Sequence, residues 1–162
     1  MHQRITGELF KEMVLSAAAY LEKNKKGLNA LNVFPVPDGD TGTNMSLTMM
    51  SAVKEVKSAD TSKIGAVGDA LSLGALKGAR GNSGVILSQL FRGFAKSLSG
   101  METANTADFA RAMQEGVDAA YKAVMKPKEG TILTVAKDMA KTALRCAAQG
   151  DNIFMLMDAV FE

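Results

Sequence analysis

Apolar residues recur at spacings of three and four along almost the whole of this 162-residue chain, and no convincing period-two alternation appears. This pattern constrains the fold more than any other feature, because it describes the faces of helices and not of strands. Leu9, Met13, Ala17, Tyr20 and Leu21 predict a helix over residues 6–24, with Lys23, Lys25 and Lys26 suited to its C-terminal dipole and Gly27 to its C-cap. Leu47, Met50 and Val53 predict a second over 45–56, with Thr43 or Asn44 as N-cap. Residues 64–77, with glycines at 65, 68 and 74, read as a buried, tightly packed helix. Leu87, Leu90, Phe91, Phe94 and Leu98 mark another. Phe109, Met113, Val117, Tyr121 and Val124 predict a helix over 106–125, and Ile132, Ala136, Met139 and Ala143 one over 131–148. Gly150-Asp151-Asn152 opens a last one through Ile153, Leu156 and Val160. The expected fold is all-α, one domain of about seven helices, without repeat or strand. The last apolar stripe meets no stop signal before Phe161-Glu162, so the chain is expected to be part of a longer, multidomain protein.

Composition excludes several chemistries. The one histidine, His2, lies at the chain end and the one cysteine is Cys146, so Ser-His-Asp, Cys-His and Cys/His zinc sites are not expected. Nineteen Lys+Arg against 17 Asp+Glu leave a net charge of +2, without a basic run interleaved with aromatics, which speaks against nucleic acid. No apolar stretch is long enough to span a bilayer, and no secretory signal is seen. With a single cysteine, these points predict a cytoplasmic, reducing compartment. Fifteen glycines, many aspartates and small hydroxyl residues remain, material suited to phosphate and hard cations.

Two loops carry that material. The first, Asn32-Val33-Phe34-Pro35-Val36-Pro37-Asp38-Gly39-Asp40-Thr41-Gly42-Thr43-Asn44, cannot be a helix interior because of its prolines and glycines. Asp38 and Asp40 repel one another across a single residue, and a Mg²⁺ ion with oxygen ligands would resolve the repulsion. Pro-Asp-Gly is also ordinary turn chemistry, so two solvated turn residues are the alternative. An EF-hand is excluded by Gly42 and Met49 at its fifth and twelfth positions, and a haloacid-dehalogenase-type DxD by prolines where its buried strand belongs.

The second loop, Gly78-Ala79-Arg80-Gly81-Asn82-Ser83-Gly84, opens a helix. Its glycines admit a ligand close to the backbone, and the helix start offers free N–H groups to an anion. It lacks the Gly-Lys-Ser/Thr of a Walker A loop and is not a nucleophile elbow. A glycine turn between packed helices is the alternative. Brought together, the two loops would supply metal ligands and phosphate donors, the parts of a nucleoside-triphosphate site. Glu129-Gly130-Thr131 could add a third contact.

Together the two motifs, in this order and with matching helices around them, resemble the nucleotide-binding domain of the catalytic subunit of bacterial fatty acid kinase, which is similar to the L subunit of dihydroxyacetone kinase. The resemblance covers nearly the whole chain. It implies an antiparallel barrel of eight helices, about seven of them present here, with ATP or ADP and two Mg²⁺ at one end. By the match, Asp38 and Asp40 are catalytic metal ligands, and Asn32 takes the place of a third aspartate. Thr43, Asn44, Gly81, Asn82 and Ser83 contact phosphate or metal, and Thr131 contacts nucleotide. The family's domain continues with a further glycine-rich turn and a final helix. The implied reaction is phosphorylation of a fatty acid carboxylate presented by a separate binding protein, with other domains of the same subunit as partners and a homodimer as a further possibility. A dihydroxyacetone-type kinase subunit, and a nucleotide-binding assembly module without turnover, are the competing readings.

Remaining residues take structural expectations. Cys146, Tyr20, Tyr121 and most of the 11 methionines are expected in the core. Asp60, Asp69, Asp108 and Asp118 are expected as caps or solvated groups, and Lys54, Lys57 and Lys63 as solvated surface.

Overall fold

A computed structural model describes residues 4–150 and 152–162, so Asp151 of the predicted cap and His2 lie outside the described residues. Seven helices are formed among them: α1 (Gly7–Leu31), α2 (Thr41–Lys57), α3 (Ile64–Lys77), α4 (Gly81–Ser97), α5 (Thr106–Ala123), α6 (Ile132–Gln149) and α7 (Ile153–Phe161). Each packs on its chain neighbour, while α1 also meets α3, and α2 meets α4. Short connections between consecutive packed helices make an up-and-down bundle. The all-α expectation holds, and the arrangement agrees with a helical barrel. No helix among the described residues is long and apolar enough to cross a membrane.

The core is built where the predicted apolar stripes meet. Phe94 of α4 stacks on Phe10 of α1 with ring centroids 5.6 Å apart and takes Phe109 of α5 edge-on at 5.3 Å. Ile64, Val67, Leu71, Val56 and Leu156 are buried around them. Cys146 is only partly buried, against this cluster. Tyr20 departs from its expected place: it is 66% exposed on the outer face of α1.

The structure differs from the sequence expectation in three main respects. Two strands of two residues, β1 (Ile5–Thr6) and β2 (Thr103–Ala104), pair antiparallel, too short to show a periodicity. Helix α1 runs seven residues past Asn24 and takes Gly27 inside it. Packing of α1 on α2 offsets the roughly 1 kcal/mol cost of an exposed helical glycine; a side chain on Gly42 would collide with the Lys25 carbonyl oxygen and Leu28. Helices α2 and α4 begin earlier than periodicity suggested, so Thr43, Asn44 and residues 81–84 lie in first turns.

Up-and-down packing sends the N-termini of α1, α3 and α5 to one end and those of α2, α4 and α6 to the other. The first end is stitched. Thr6 Oγ1 accepts from the Leu9 amide at 3.1 Å, and Asn105 and Asp108 form a reciprocal capping box on α5. The Ile64 and Gly65 amides donate to the carbonyls of Glu102 and Met101 at 2.9 and 3.0 Å. The second end carries the candidate site.

Candidate phosphate and metal site

Loops one and two meet at this second end, around a cleft of about 600 Å³. Their contact follows from the small residues on α2 and α4. Thr48 Oγ1 donates to the Asn44 carbonyl at 2.8 Å and accepts from the Arg80 amide at 3.1 Å. Ser51 Oγ donates to the Gly74 carbonyl at 2.7 Å. A Cβ on Gly84 would collide with Thr48 Oγ1, and one on Gly81 with the Asn44 amide group. Gly81 also has φ +64°, a conformation that a side chain resists.

Loop one is held by two asparagines at the C-terminal end of α1, Asn29 in its last turn and Asn32 at its C-cap. Asn32 Oδ1 accepts from the amides of Asp40 and Thr41 at 3.1 and 3.3 Å, and its Nδ2 donates to the Val36 carbonyl at 3.0 Å. Asn29 and Thr43 bond reciprocally: Asn29 Nδ2 donates to Thr43 Oγ1 at 2.9 Å, and the Thr43 amide donates to Asn29 Oδ1 at 3.0 Å. The Phe34–Pro35 peptide bond is cis.

Of the residues proposed from sequence, Asn32, Asp38, Asp40, Asn44, Gly81, Asn82, Ser83 and Thr131 all line this one cleft. Thr43 does not; its side chain faces Asn29. The site also contains residues the sequence reading missed. Lys126 and Lys128 line the cleft from the α5–α6 connection, and Phe34, Val36, Val85 and Ile132 give it an apolar side. Asn29 organises loop one. The available signal for Asn29 was its i, i+3 pairing with Asn32, hidden by the expectation that α1 ends at residue 24.

The chemistry of the wall is uneven in a useful way. Helix α4 starts at Arg80 without a side-chain cap, and the amides of Gly81, Asn82 and Ser83 have no acceptor among the described residues. Asp40 opens α2 without a cap from its own side chain, but Asn32 and Asn29 accept the Thr41 and Thr43 amides of that first turn. A helix start left open toward a cleft, as at α4, is a candidate anion site. Asp38 and Asp40 are both exposed, and neither carboxylate has a hydrogen-bond or ion-pair partner among the described residues. No group of three or more Asp, Glu, His or Cys side chains gathers there or elsewhere among those residues. Two such carboxylates in one cleft nevertheless fit Mg²⁺, which takes one or two carboxylates and completes its shell with water and phosphate oxygens. Asn32 Oδ1 already accepts two amides, so its place is behind the carboxylates, holding their loop.

Glu129 in the α5–α6 connection accepts from Tyr121, Thr134 and Lys137. These bonds, Thr134 first, hold its carboxyl below the usual carboxylate range. Burial, and then the Glu129 bond, push the Tyr121 phenol up, and the Glu129 bond pushes the Lys137 ammonium up.

Comparison with known proteins gives the family. The profile of the DAK2 domain matches residues 35–162, from loop one onward. The chain is 60% identical over 158 residues to protein YloV of Bacillus subtilis (strain 168), covering 98% of this chain and 29% of that protein. It is 52% identical over 162 residues to an uncharacterized protein of Staphylococcus saprophyticus, covering 100% of this chain and 29% of that one. An uncharacterized protein of Staphylococcus aureus (strain USA300) is 51% identical over 160 residues, again covering 29% of its length. The chain thus spans under a third of the curated relatives it matches. With the match running through both loops and all the helices after them, the chain belongs to the DAK2 domain family, a kinase-type family like dihydroxyacetone kinase.

Proposed function

We propose that this chain binds ATP with Mg²⁺ and transfers its γ-phosphoryl group to the carboxylate of a fatty acid presented by a separate binding protein. One observation carries the reading: the open start of α4, two carboxylates unpartnered among the described residues and two lysines surround a single cleft. Asp38 and Asp40 would hold the metal, which when bound supplies positive charge against the β- and γ-phosphates. The amides of residues 81–83, with the Asn82 and Ser83 side chains, hold phosphate oxygens. Asn44, under Gly81, fixes the spacing of the two loops.

In the proposed step a carboxylate oxygen of the acceptor attacks the γ-phosphorus. The bond from that phosphorus to the β,γ-bridging oxygen breaks, and ADP and an acyl phosphate result. A carboxylate is already ionised at neutral pH, so the step needs no strong general base. That suits a wall whose titratable lining groups are aspartates and lysines. The apolar side of the cleft, where Phe34 is 55% exposed, favours an acceptor or carrier with an apolar surface over a small polyhydroxy ketone. Since the chain spans only part of its relatives, the acceptor side would be completed by other segments of a longer subunit.

Calorimetry with Mg²⁺-ATP, Mg²⁺-ADP and EDTA controls tests the nucleotide half. Binding that needs Mg²⁺ and disappears in Asp38→Ala is expected. Metal-independent binding, equal in the variant, would overturn the assignment. Turnover of the full-length protein with a carrier-bound fatty acid against dihydroxyacetone tests the acceptor; a preference for the triose would replace the fatty acid reading.

A further inference from the structure

We infer that residues 124–131 form a basic strap across the phosphate site, and that Glu129 is the positioning residue that sets Lys126 and Lys128 against the terminal phosphates. The inference rests on the reading of the cleft as a polyphosphate site. Both lysines line the cleft, and neither has an ion pair among the described residues. Glu129, between them and helix α6, uses both oxygens elsewhere. Tyr121 Oη of α5 donates to its Oε1 at 3.0 Å, while Thr134 Oγ1 and Lys137 Nζ of α6 donate to its Oε2 at 2.5 and 3.1 Å. No other carboxylate among the described residues collects three side-chain donors.

The same network fixes the strap's backbone. Thr131 Oγ1 donates to the Lys128 carbonyl and the Gly130 amide donates to Thr134 Oγ1, both at 2.8 Å. Lys137 also lies 5.9 Å from the Tyr121 ring centroid. Gly130 has φ +79°, and Phe34 Cε1 of loop one lies 3.9 Å from where its Cβ would stand, so the strap abuts the metal loop. Exposed ion pairs contribute little to stability. A surface network of four groups around one loop is therefore better explained by the geometry it imposes. By committing its carboxylate to α5 and α6, Glu129 leaves the neighbouring ammonium groups free for phosphate oxygens, while Asp38 and Asp40 stand on the opposite loop for a cation.

The test is calorimetry of this chain with AMP, ADP and ATP, each with Mg²⁺. The variants are Lys126→Ala/Lys128→Ala, Glu129→Ala, Glu129→Gln and the triple alanine variant. The lysine pair is expected to lose about tenfold in ATP affinity, the scale of a charged hydrogen bond, less in ADP affinity and none for AMP. Glu129→Ala is expected to lose affinity in the same order, Glu129→Gln to keep most of it by retaining an acceptor, and the triple variant to be no weaker than the lysine pair. Equal losses for AMP and ATP, or a Glu129→Ala effect undiminished without the lysines, would overturn the strap. Wild-type chain that binds none of the three nucleotides would overturn the cleft reading and the strap with it. Normal ATP binding by Glu129→Ala would overturn the strap alone. Tyr121→Phe, which removes one donor, carries the same comparison if circular dichroism shows Glu129→Ala unfolded.

Discussion

At one end of the bundle the amino termini of α1, α3 and α5 are closed by Thr6, by main-chain carbonyls and by the Asn105–Asp108 box; at the other, α2 is closed by Asn29 and Asn32 from α1, and the start of α4 is left open on a cleft. Every helix starts with the same unsatisfied amides. What differs is their use. At the stitched end they are paired within the protein and contribute stability, and a two-stranded ribbon holds α1 to α5. At the cleft end those of Gly81, Asn82 and Ser83 are unpaired, near carboxylates and lysines without ion-pair partners among the described residues. The open end forgoes some stability for donors that a ligand can take up, a familiar property of binding sites.

The largest effect that would break this comparison is expected at the aspartates. Asp38→Ala or Asp40→Ala should reduce phosphoryl transfer by about 10²-fold or more, the scale of removing a charge-stabilising group. Both are exposed and unpartnered, so melting temperature should hardly move. A matching fall in melting temperature would mean that they serve the fold.

Gly81→Ala strikes both properties. It places a Cβ on a residue at φ +64° and against Asn44, and should cost about 1–3 kcal/mol of stability. Denaturant unfolding measures that cost, and nucleotide affinity should fall with it. Unchanged stability would show that the α2–α4 spacing is not set there.

Asn105→Ala and Asn32→Ala sharpen the contrast. Each removes a side chain that accepts backbone amides at a helix start, worth about 1 kcal/mol. A thermal melt should drop by roughly 2–4 °C in both cases. Only Asn32→Ala should weaken Mg²⁺-nucleotide binding, and Asn32→Asp, which keeps the acceptor, should restore it. Loss of binding in Asn105→Ala would mean that the two ends are coupled.

The smallest effect is a pH dependence of the open end. The Glu129 carboxyl sits below its ordinary value because Thr134, Lys137 and Tyr121 favour its charged form. Its contribution is complete above about pH 4.3, the unfolded value, and is lost as pH falls through the lower folded value. Measured against the intrinsic rate at each pH, the protection of amides in residues 124–131 from exchange should fall over that acid limb and return when pH is raised. A flat profile would show that the network does not hold the strap.

Much of this was legible in the chain. The 64–77 helix is found at the expected bounds, and the others differ mainly at their ends. Both loops were visible because prolines, glycines and paired aspartates cannot be helix interior. The misses share a cause. β1 and β2 are too short for a period, and α1 outruns Gly27 because α2 packs on its last turns. Thr43, read as a phosphate contact, is turned to Asn29, a partner 14 residues away. Lys126 and Lys128 are not singled out by the sequence, since nothing near them in the chain points to loop one.

By itself, then, the sequence determined the class of fold and the chemistry available, because helical periodicity and loop composition are local properties of a few successive residues. Only the tertiary structure decided which amino termini are closed and which are open, and that the aspartates of residues 38 and 40, the amides of 81–83 and the lysines of 126 and 128 share one cleft. That choice depends on the alternation of helix direction and on small residues that let α2 and α4 approach, contacts between positions tens of residues apart.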